Sequence, residues 1–441
     1  MKNKYKILFV TTLSTVMAAI DSTIIYLALP FIGIDLHGSI SSLTLFLVAY
    51  IISSTIILIP GIKITERIGR RRSYIYGFIL FSISSLGIAI SNSIVLSIFL
   101  RFIEGIGAGI LSITDIPVIL DAFDDKKSTA IGINSISWAI GTMAGPLIGG
   151  YMASINWRLI FIINVPIGII AIPLAWKYIP SSSKSEKPDV YSIIVSAMIL
   201  PLIVGITFIN PYLIILGIIL IIPGSLIYKR YPFISRKLLK LRTVLLGMSI
   251  FFEAFAFFAV IYILSLYFET DLGFSPVYAS FLIIWYPVSS LIFNPIGGYI
   301  TDYIKKPYLI MGIGALAESI PIIIMGKFMN YMPEMLFISG AGGSIYWPPS
   351  TTVMADSYDD TRTDASSLLF IIRNTSLLLS ISLIPVFIFL YSGINVSLGN
   401  LFIINKHLNI FNSVSYFLIF IGIINLLSIV PIIVLRLKQS F

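Results

Sequence analysis

Arg101, Glu104 and Asp115 lie in one apolar stretch, residues 94–119, which reads Arg101-Phe-Ile-Glu104-Gly105-Ile-Gly107-Ala-Gly109 before reaching Asp115. A spacing of three puts Arg101 and Glu104 on one helical face, and Ala108, Ser112 and Asp115 continue the stripe. Ile103, Ile106, Ile110 and Ile113 are expected to form an opposite, lipid-type face. At roughly 1.5 Å per residue the stripe runs about 21 Å along the axis. An ionisable group at a bilayer centre costs at least ~2.5–3.5 kcal/mol, so each needs a partner or a wet cavity. Base and acids on one face suit proton movement, their titration set by a nearby cation and by hydration. The other reading is a permanent Arg101–Glu104 ion pair that only makes buried charge tolerable. Asp115 has no evident partner and is expected to be solvated near the inner end. Asp21, in Asp21-Ser22-Thr23-Ile-Ile-Tyr26, is a third carboxylate in an apolar run. Asp21 and Glu104 are expected to border a watery chamber reached alternately from each side. Glu253, among Phe251, Phe252, Phe255, Phe257 and Phe258, suits a lipophilic cation held by charge and cation–π contact. Glu318 also falls mid-span. Tyr26, Trp285, Tyr286 and Trp347 are candidate aromatic cavity walls.

The elements that position these groups follow from composition. The chain has 441 residues, 57% hydrophobic and 11% charged, more apolar surface than a soluble protein can hide. Apolar windows of about 20 residues fall at 7–29, 42–60, 73–91, 94–119, 130–153, 158–177, 190–209, 211–228, 243–267, 276–300, 307–326, 333–355, 365–391 and 413–435. They predict about fourteen helices, with Asn210-Pro211 the only turn between the seventh and eighth. The first window reads as a span, not a cleaved leader. Of the 29 lysines and arginines, only Arg158, Lys327 and Lys406 fall in alternate loops, and Arg101 and Arg373 lie inside helices. The rest cluster at the N-terminus and every second loop. That bias puts both termini in the cytoplasm and explains the net charge of +9 without nucleic acid. With no cysteine, and with His37 and His407 in loops, no disulfide, thiolate chemistry or metal site is expected. No nucleophile–base set or phosphate loop speaks for an enzyme, and no cofactor is implied.

Gly141, Gly145 and Gly149, in Gly141-Thr-Met-Ala-Gly145-Pro146-Leu-Ile-Gly149-Gly150, stack on one helical face. In lipid such a face lets another backbone come close, and Pro146 is expected to bend the helix. The seam is either static packing or a bending joint. Ser181 to Pro188 reads as a linker, giving three segments: 1–180, 181–241 with two extra helices, and 242–441. A repeat links the outer two. Gly61-Ile-Lys63-Ile-Thr-Glu66-Arg67-Ile-Gly69-Arg70-Arg71-Arg72 follows the second window, and Gly298-Tyr-Ile-Thr-Asp302-Tyr-Ile-Lys305-Lys306 follows its counterpart. An acid followed by a base cluster recurs in both.

These motifs resemble the major facilitator superfamily. The glycine seam is similar to its antiporter motif, Gly-x-x-x-Gly-Pro-x-x-Gly-Gly. The continuation Trp157-Arg158 to Asn164-Val-Pro166-Ile-Gly168 resembles the drug/proton antiporter branch with fourteen spans. Arg101 to Gly107 resembles the fourth-helix motif Arg-x-x-Gln-Gly-x-Gly, with Glu104 in place of Gln. Asp21 to Pro30 resembles the first-helix motif, with Tyr26 where a small residue is usual. The loop at 61–72 resembles the inner-loop motif, with Glu66 for Asp. Arg373-Asn374 falls in a stretch like the thirteenth-span motif, without its glycines. The resemblance implies an all-α membrane fold of two six-helix bundles plus two helices, acting as a monomer in the plasma membrane. It implies proton-driven export of small lipophilic, often cationic compounds by alternating access. In that picture Asp21, Glu104 and Glu253 bind substrate and protons, and Glu66 and Asp302 anchor neighbouring helix ends. The alternatives are a proton-linked transporter of one metabolite, and a sensor or membrane enzyme.

Overall fold

The computed structural model describes residues 2–25, 28–123, 125–181, 190–207, 210–231, 235–356, 362–392 and 410–437. Each of the fourteen apolar windows falls on a helix or a broken helix. The first half contains α1 (Lys2–Ile24), α2 (Leu29–Asp35), α3 (Ile40–Ile56), α4 (Leu58–Ile68), α5 (Arg70–Ile90), α6 (Ile94–Ala122), α7 (Lys127–Asn156), α8 (Leu159–Ile162) and α9 (Asn164–Tyr178). The extra pair is α10 (Val190–Thr207) and α11 (Pro211–Arg230). The second half contains α12 (Leu241–Leu266), α13 (Pro276–Ile283), α14 (Trp285–Ile304), α15 (Pro307–Lys327), α16 (Met332–Ala355), α17 (Arg362–Ser392), α18 (Phe411–Leu426) and α19 (Ile429–Leu437). Among the described residues ten helices are long and apolar enough to cross a membrane, or eleven if α3 and α4, bent by 53°, form one span. On their described residues the helices over 130–153, 190–207 and 333–355 do not meet that test. Glycines, serines and prolines dilute the apolar character of α16.

Local chemistry sets the ends. Ser93 accepts the Leu96 amide and starts α6, and Asn210 accepts the amides of Tyr212 and Leu213 and starts α11. Gly69 turns the chain between α4 and α5 at φ 85°, a conformation a side chain would strain. The charged segment expected as a loop at 61–68 is instead the last part of α4, so Lys63, Glu66 and Arg67 are helical. Pro146 does not interrupt α7.

Two compact units divide the chain. Unit 1 comprises Met1–Asp124, Ala144–Leu239 and Ala355–Ile371; unit 2 comprises Asp125–Met143, Lys240–Met354 and Ile372–Phe441. The helices α7 and α17 therefore each divide between them. Unit 1 is packed around Phe46, Trp157 and Phe161 on one side and Met17, Tyr74, Phe78 and Phe81 on another. The extra pair joins this unit through Val195 on Ile59. Unit 2 is packed around Phe255, Ile263, Met325 and Phe417.

Candidate functional site

Five side chains close a ring inside unit 1. Arg101 on α6 donates from Nη1 to Asp21 Oδ2 at 2.6 Å and to Glu104 Oε2 at 2.7 Å. Ser85 on α5 donates to Glu104 Oε1. Asn164, opening α9, donates from Nδ2 to Ser85 Oγ at 3.1 Å and to Asp21 Oδ1 at 3.3 Å. The Arg101 guanidinium lies 4.4 Å from the Tyr50 ring centre and 5.8 Å from those of Phe46 and Phe161. Asp21 and Arg101 are each 1% exposed and Glu104 0%. The expected watery border is absent from this conformation: both acids are sealed among helices, because Arg101 draws them inward and α5 and α9 cover them. Fully ionised, two carboxylates and one guanidinium carry one net negative charge; one proton makes the ring neutral. Arg101 Nε and Asn164 Oδ1 are buried without a partner among the described residues, so the ring is not fully satisfied.

Asp115 is not solvated, as the sequence suggested, but 7% exposed. Ser14 Oγ donates to it at 2.8 Å, Tyr74 donates its hydroxyl, and Thr15 lies at 3.4 Å. The expected lipid face of α6 is also corrected. Ile110 and Ile113 are buried, Ile113 against the position a side chain on Gly61 would fill, because α3, α4 and α5 wrap most of α6.

Unit 2 holds two further buried acids. Glu318 on α15 accepts from Tyr286 Oη at 2.7 Å and Asn425 Nδ2 at 3.1 Å. Tyr286 is therefore a buried donor and not a cavity wall, whereas its neighbour Trp285 is exposed. Glu253 on α12 is 4% exposed, makes no hydrogen bond among the described residues, and feels the charges of Glu318 and Arg373. The Arg373 guanidinium stacks 3.9 Å from the Trp138 ring centre, with Phe258 and Trp347 each at 5.6 Å. Tyr26 lies outside the described residues.

The glycine seam meets α1 within unit 1. A Cβ on Gly145 would sit 2.9 Å from Thr23 Cβ, and one on Gly149 2.6 Å from Ile24 O. Gly141 is buried; Pro146 and Gly150 continue the same helix. Trp157 and Arg158 both donate to Asp35, at 3.0 Å for Trp157 Nε1, and Arg158 Nη2 also binds Ser91 O at 3.0 Å and Asn92 Oδ1 at 2.9 Å. The Arg158 hydrogen bond, then that of Trp157, holds the Asp35 carboxyl below its ordinary range.

At the basic ends the two repeats differ. Glu66 pairs with Lys63 one turn back at 3.1 Å, and Arg67 is exposed. The acid that ties helix ends in unit 1 is Asp121, paired with Arg70 and, at 2.6 Å, with Arg362. Arg71 donates to Ile179 O at 2.5 Å. In unit 2, Asp302 accepts the Ser128 amide at 3.2 Å, the Thr129 amide at 2.8 Å and the Thr129 hydroxyl at 2.6 Å, at the start of α7. Asp302→Ala should cost about 0.5–2 kcal/mol, the usual loss of a helix cap. It should speed hydrogen exchange at Ser128 to Ala130; unchanged exchange there would deny the cap its role.

Sequence reasoning missed Ser85, Asn164, Ser14, Tyr74, Asp121 and Trp138 as partners. The one signal was polar side chains on otherwise apolar helices. Among the described residues no group of three or more His, Cys, Asp or Glu is placed to hold a metal ion.

A family model described as Major Facilitator Superfamily matches residues 11–235 and 246–440. The chain belongs to this superfamily. It is accordingly a multi-pass membrane transporter and not an enzyme. The facilitator is 28% identical over 396 residues to the riboflavin transporter RibZ of Clostridioides difficile (strain 630), which covers 85% of this chain and 86% of that protein. It is 35% identical over 175 residues to the multidrug transporter protein MdtP of Bacillus subtilis (strain 168), over 39% of this chain and 32% of that one. A solved structure of the proton:xylose symporter XylE bound to 6-bromo-6-deoxy-D-glucose superposes with a TM-score of 0.69 at 16% identity, covering 97% of this chain and 95% of that one. That likeness concerns the fold.

Proposed function

We propose that this facilitator is a proton-coupled antiporter that exports small lipophilic compounds, planar aromatic ones among them, by alternating access. The observation that carries the reading is the buried ring of Asp21, Arg101 and Glu104. A site of two carboxylates and one guanidinium changes between net charge −1 and 0 with a single proton. Charge is expensive in low dielectric, so the two forms favour different helix arrangements. Being sealed, the ring exchanges its proton only when α1, α5, α6 and α9 part. Proton exchange is thereby tied to a conformational step, which coupled transport requires. Asp115 and Glu318 are further candidate proton holders. The six-two-six layout of fourteen spans, a plasma-membrane location with both termini cytoplasmic, and a monomeric state belong to the same proposal.

A second reading, transport of a single metabolite such as a vitamin, is favoured by similarity to a riboflavin transporter over most of the chain. Both readings are tested in proteoliposomes carrying a pH gradient. Ethidium, riboflavin and 5-aminonaphthalene-1-sulfonate are added in turn, and proton movement is recorded. An antiporter of broad range answers several probes with protons moving opposite to substrate; a vitamin transporter answers riboflavin alone. Asp21→Asn should abolish the response while folded protein remains in the membrane. An undiminished response would remove Asp21 from the coupling site.

A further inference from the structure

Unit 2 contains a set of polar groups that the coupling ring does not use. Arg373 lies just inside the unit-2 part of α17. Its guanidinium rests on the Trp138 ring, with Phe258 and Trp347 on its flanks. Among the described residues it donates no hydrogen bond and pairs with no carboxylate at contact distance. Trp138 Nε1 is buried beside it, also without an acceptor. The charges of Glu253 and Arg373 act on one another, and among the described residues Glu253 accepts no hydrogen bond. Trp138 Nε1 is costly to leave unpaired, and the half-buried Arg373 beside it is open to an acceptor, so the groups have complementary needs. Among the described residues Arg373 and Trp138 lack an acceptor and Glu253 lacks a donor; Trp138, Trp347 and Phe258 offer flat apolar surface.

Resting on the transporter reading above, we infer that Arg373, Trp138, Trp347, Phe258 and Glu253 form a substrate subsite for planar aromatic acids that also carry an N–H or O–H donor. The acid group lies on the guanidinium fork, which matches a carboxylate or sulfonate through two parallel hydrogen bonds. The ring plane packs on the indoles, as aromatic faces prefer in offset contact. The donor reaches Glu253. This differs from the lipophilic cation that Glu253 and its phenyl neighbours suggested in the sequence. A purely cationic ligand would have to sit against an unneutralised Arg373, and like charges disfavour that.

The test is equilibrium binding to the purified full-length protein in detergent, with no gradient. The probes are fluorescent 5-aminonaphthalene-1-sulfonate and its analogue without the acid, 1-aminonaphthalene. Wild type should bind the sulfonate about tenfold or more tighter, the gain expected of a charge-assisted pair. Arg373→Gln should remove that preference while leaving 1-aminonaphthalene binding unchanged. Arg373→Lys, which keeps the charge but not the fork, should restore it only in part. Trp138→Phe should weaken the sulfonate severalfold. Equal wild-type affinity for both probes overturns the proposal even if every Arg373 variant fails to fold. So does an Arg373→Gln protein that retains the preference or loses both probes equally. Sulfonate-selective binding without proton movement in vesicles overturns the transport reading and leaves the subsite standing. Proton movement without sulfonate selectivity does the reverse.

Discussion

Arg101→Met should destabilise the transporter by about 3–5 kcal/mol, the cost of leaving a buried charge without its partner. Two carboxylates share this guanidinium, at 2.6 Å and 2.7 Å, so removing it leaves two acids facing one another in a dry site. The shape of methionine fills much of the space beside Tyr50, Phe46 and Phe161, so the loss is electrostatic more than volumetric. Thermal unfolding in detergent would show a large fall in Tm. Asp21→Asn or Glu104→Gln added to Arg101→Met should recover part of it, and the variant carrying all three changes most of it, since no buried charge remains. The triple variant also separates scaffold from coupling. If the ring is only scaffold, restored stability brings transport back with it. If the ring holds the transported proton, the triple variant folds and still shows no response to a pH gradient. An Arg101→Met protein within about 1 kcal/mol of wild type would contradict the ring as a tightly bound unit.

The helices and their order were legible because apolar windows and turn residues act locally. Asn210 caps α11 where Asn210-Pro211 predicted a turn, and the acids at 21, 104, 253 and 318 stand out against apolar neighbours. Pairing was not legible, because it depends on which helix lies opposite. Three apart in sequence, Arg101 and Glu104 could be read as a pair, but nothing local brings Asp21, eighty residues away, onto the same nitrogen. Asp115 looked solvated for the same reason: its donors come from α1 and α5. The face of Ile110 and Ile113 was misread because a single-helix pattern cannot say how many neighbours surround it. Glu66 shows the opposite failure. A motif position named the acid, yet an acid at the far end of α6, Asp121, reaches the bases instead. One regularity became visible only in three dimensions. Asn164 and Asn425 each donate Nδ2 to a buried carboxylate, one in each unit. The asparagines open the likeness, but their carboxylates sit on different helices, Asp21 on α1 and Glu318 on α15.

Gly145→Leu should arrest transport while costing folding stability only about 1–3 kcal/mol, the usual range for overpacking. The seam admits no side chain: a Cβ at 145 would lie 2.9 Å from Thr23 Cβ and 3.1 Å from Ile24 N. Relief requires α1 and α7 to separate, and Thr23 is two residues from Asp21, so separation at the seam pulls on the ring. In the alternating-access reading this contact must form and part in every cycle, whereas a static packing seam would be wedged once and then left alone. The two differ in what labelling shows. The chain has no cysteine, so single cysteines introduced near either end of α7 report accessibility without background. Wild type should expose both ends in turn, and added substrate should shift the balance. In Gly145→Leu one end should stay reactive and the other protected, whatever substrate or gradient is present. Gly145→Ala should fall between, because one methyl needs a smaller parting of α1 and α7 than the four carbons of leucine. A folded Gly145→Leu protein that labels and transports like wild type would make the seam a fixed joint, and the moving contact would have to lie elsewhere.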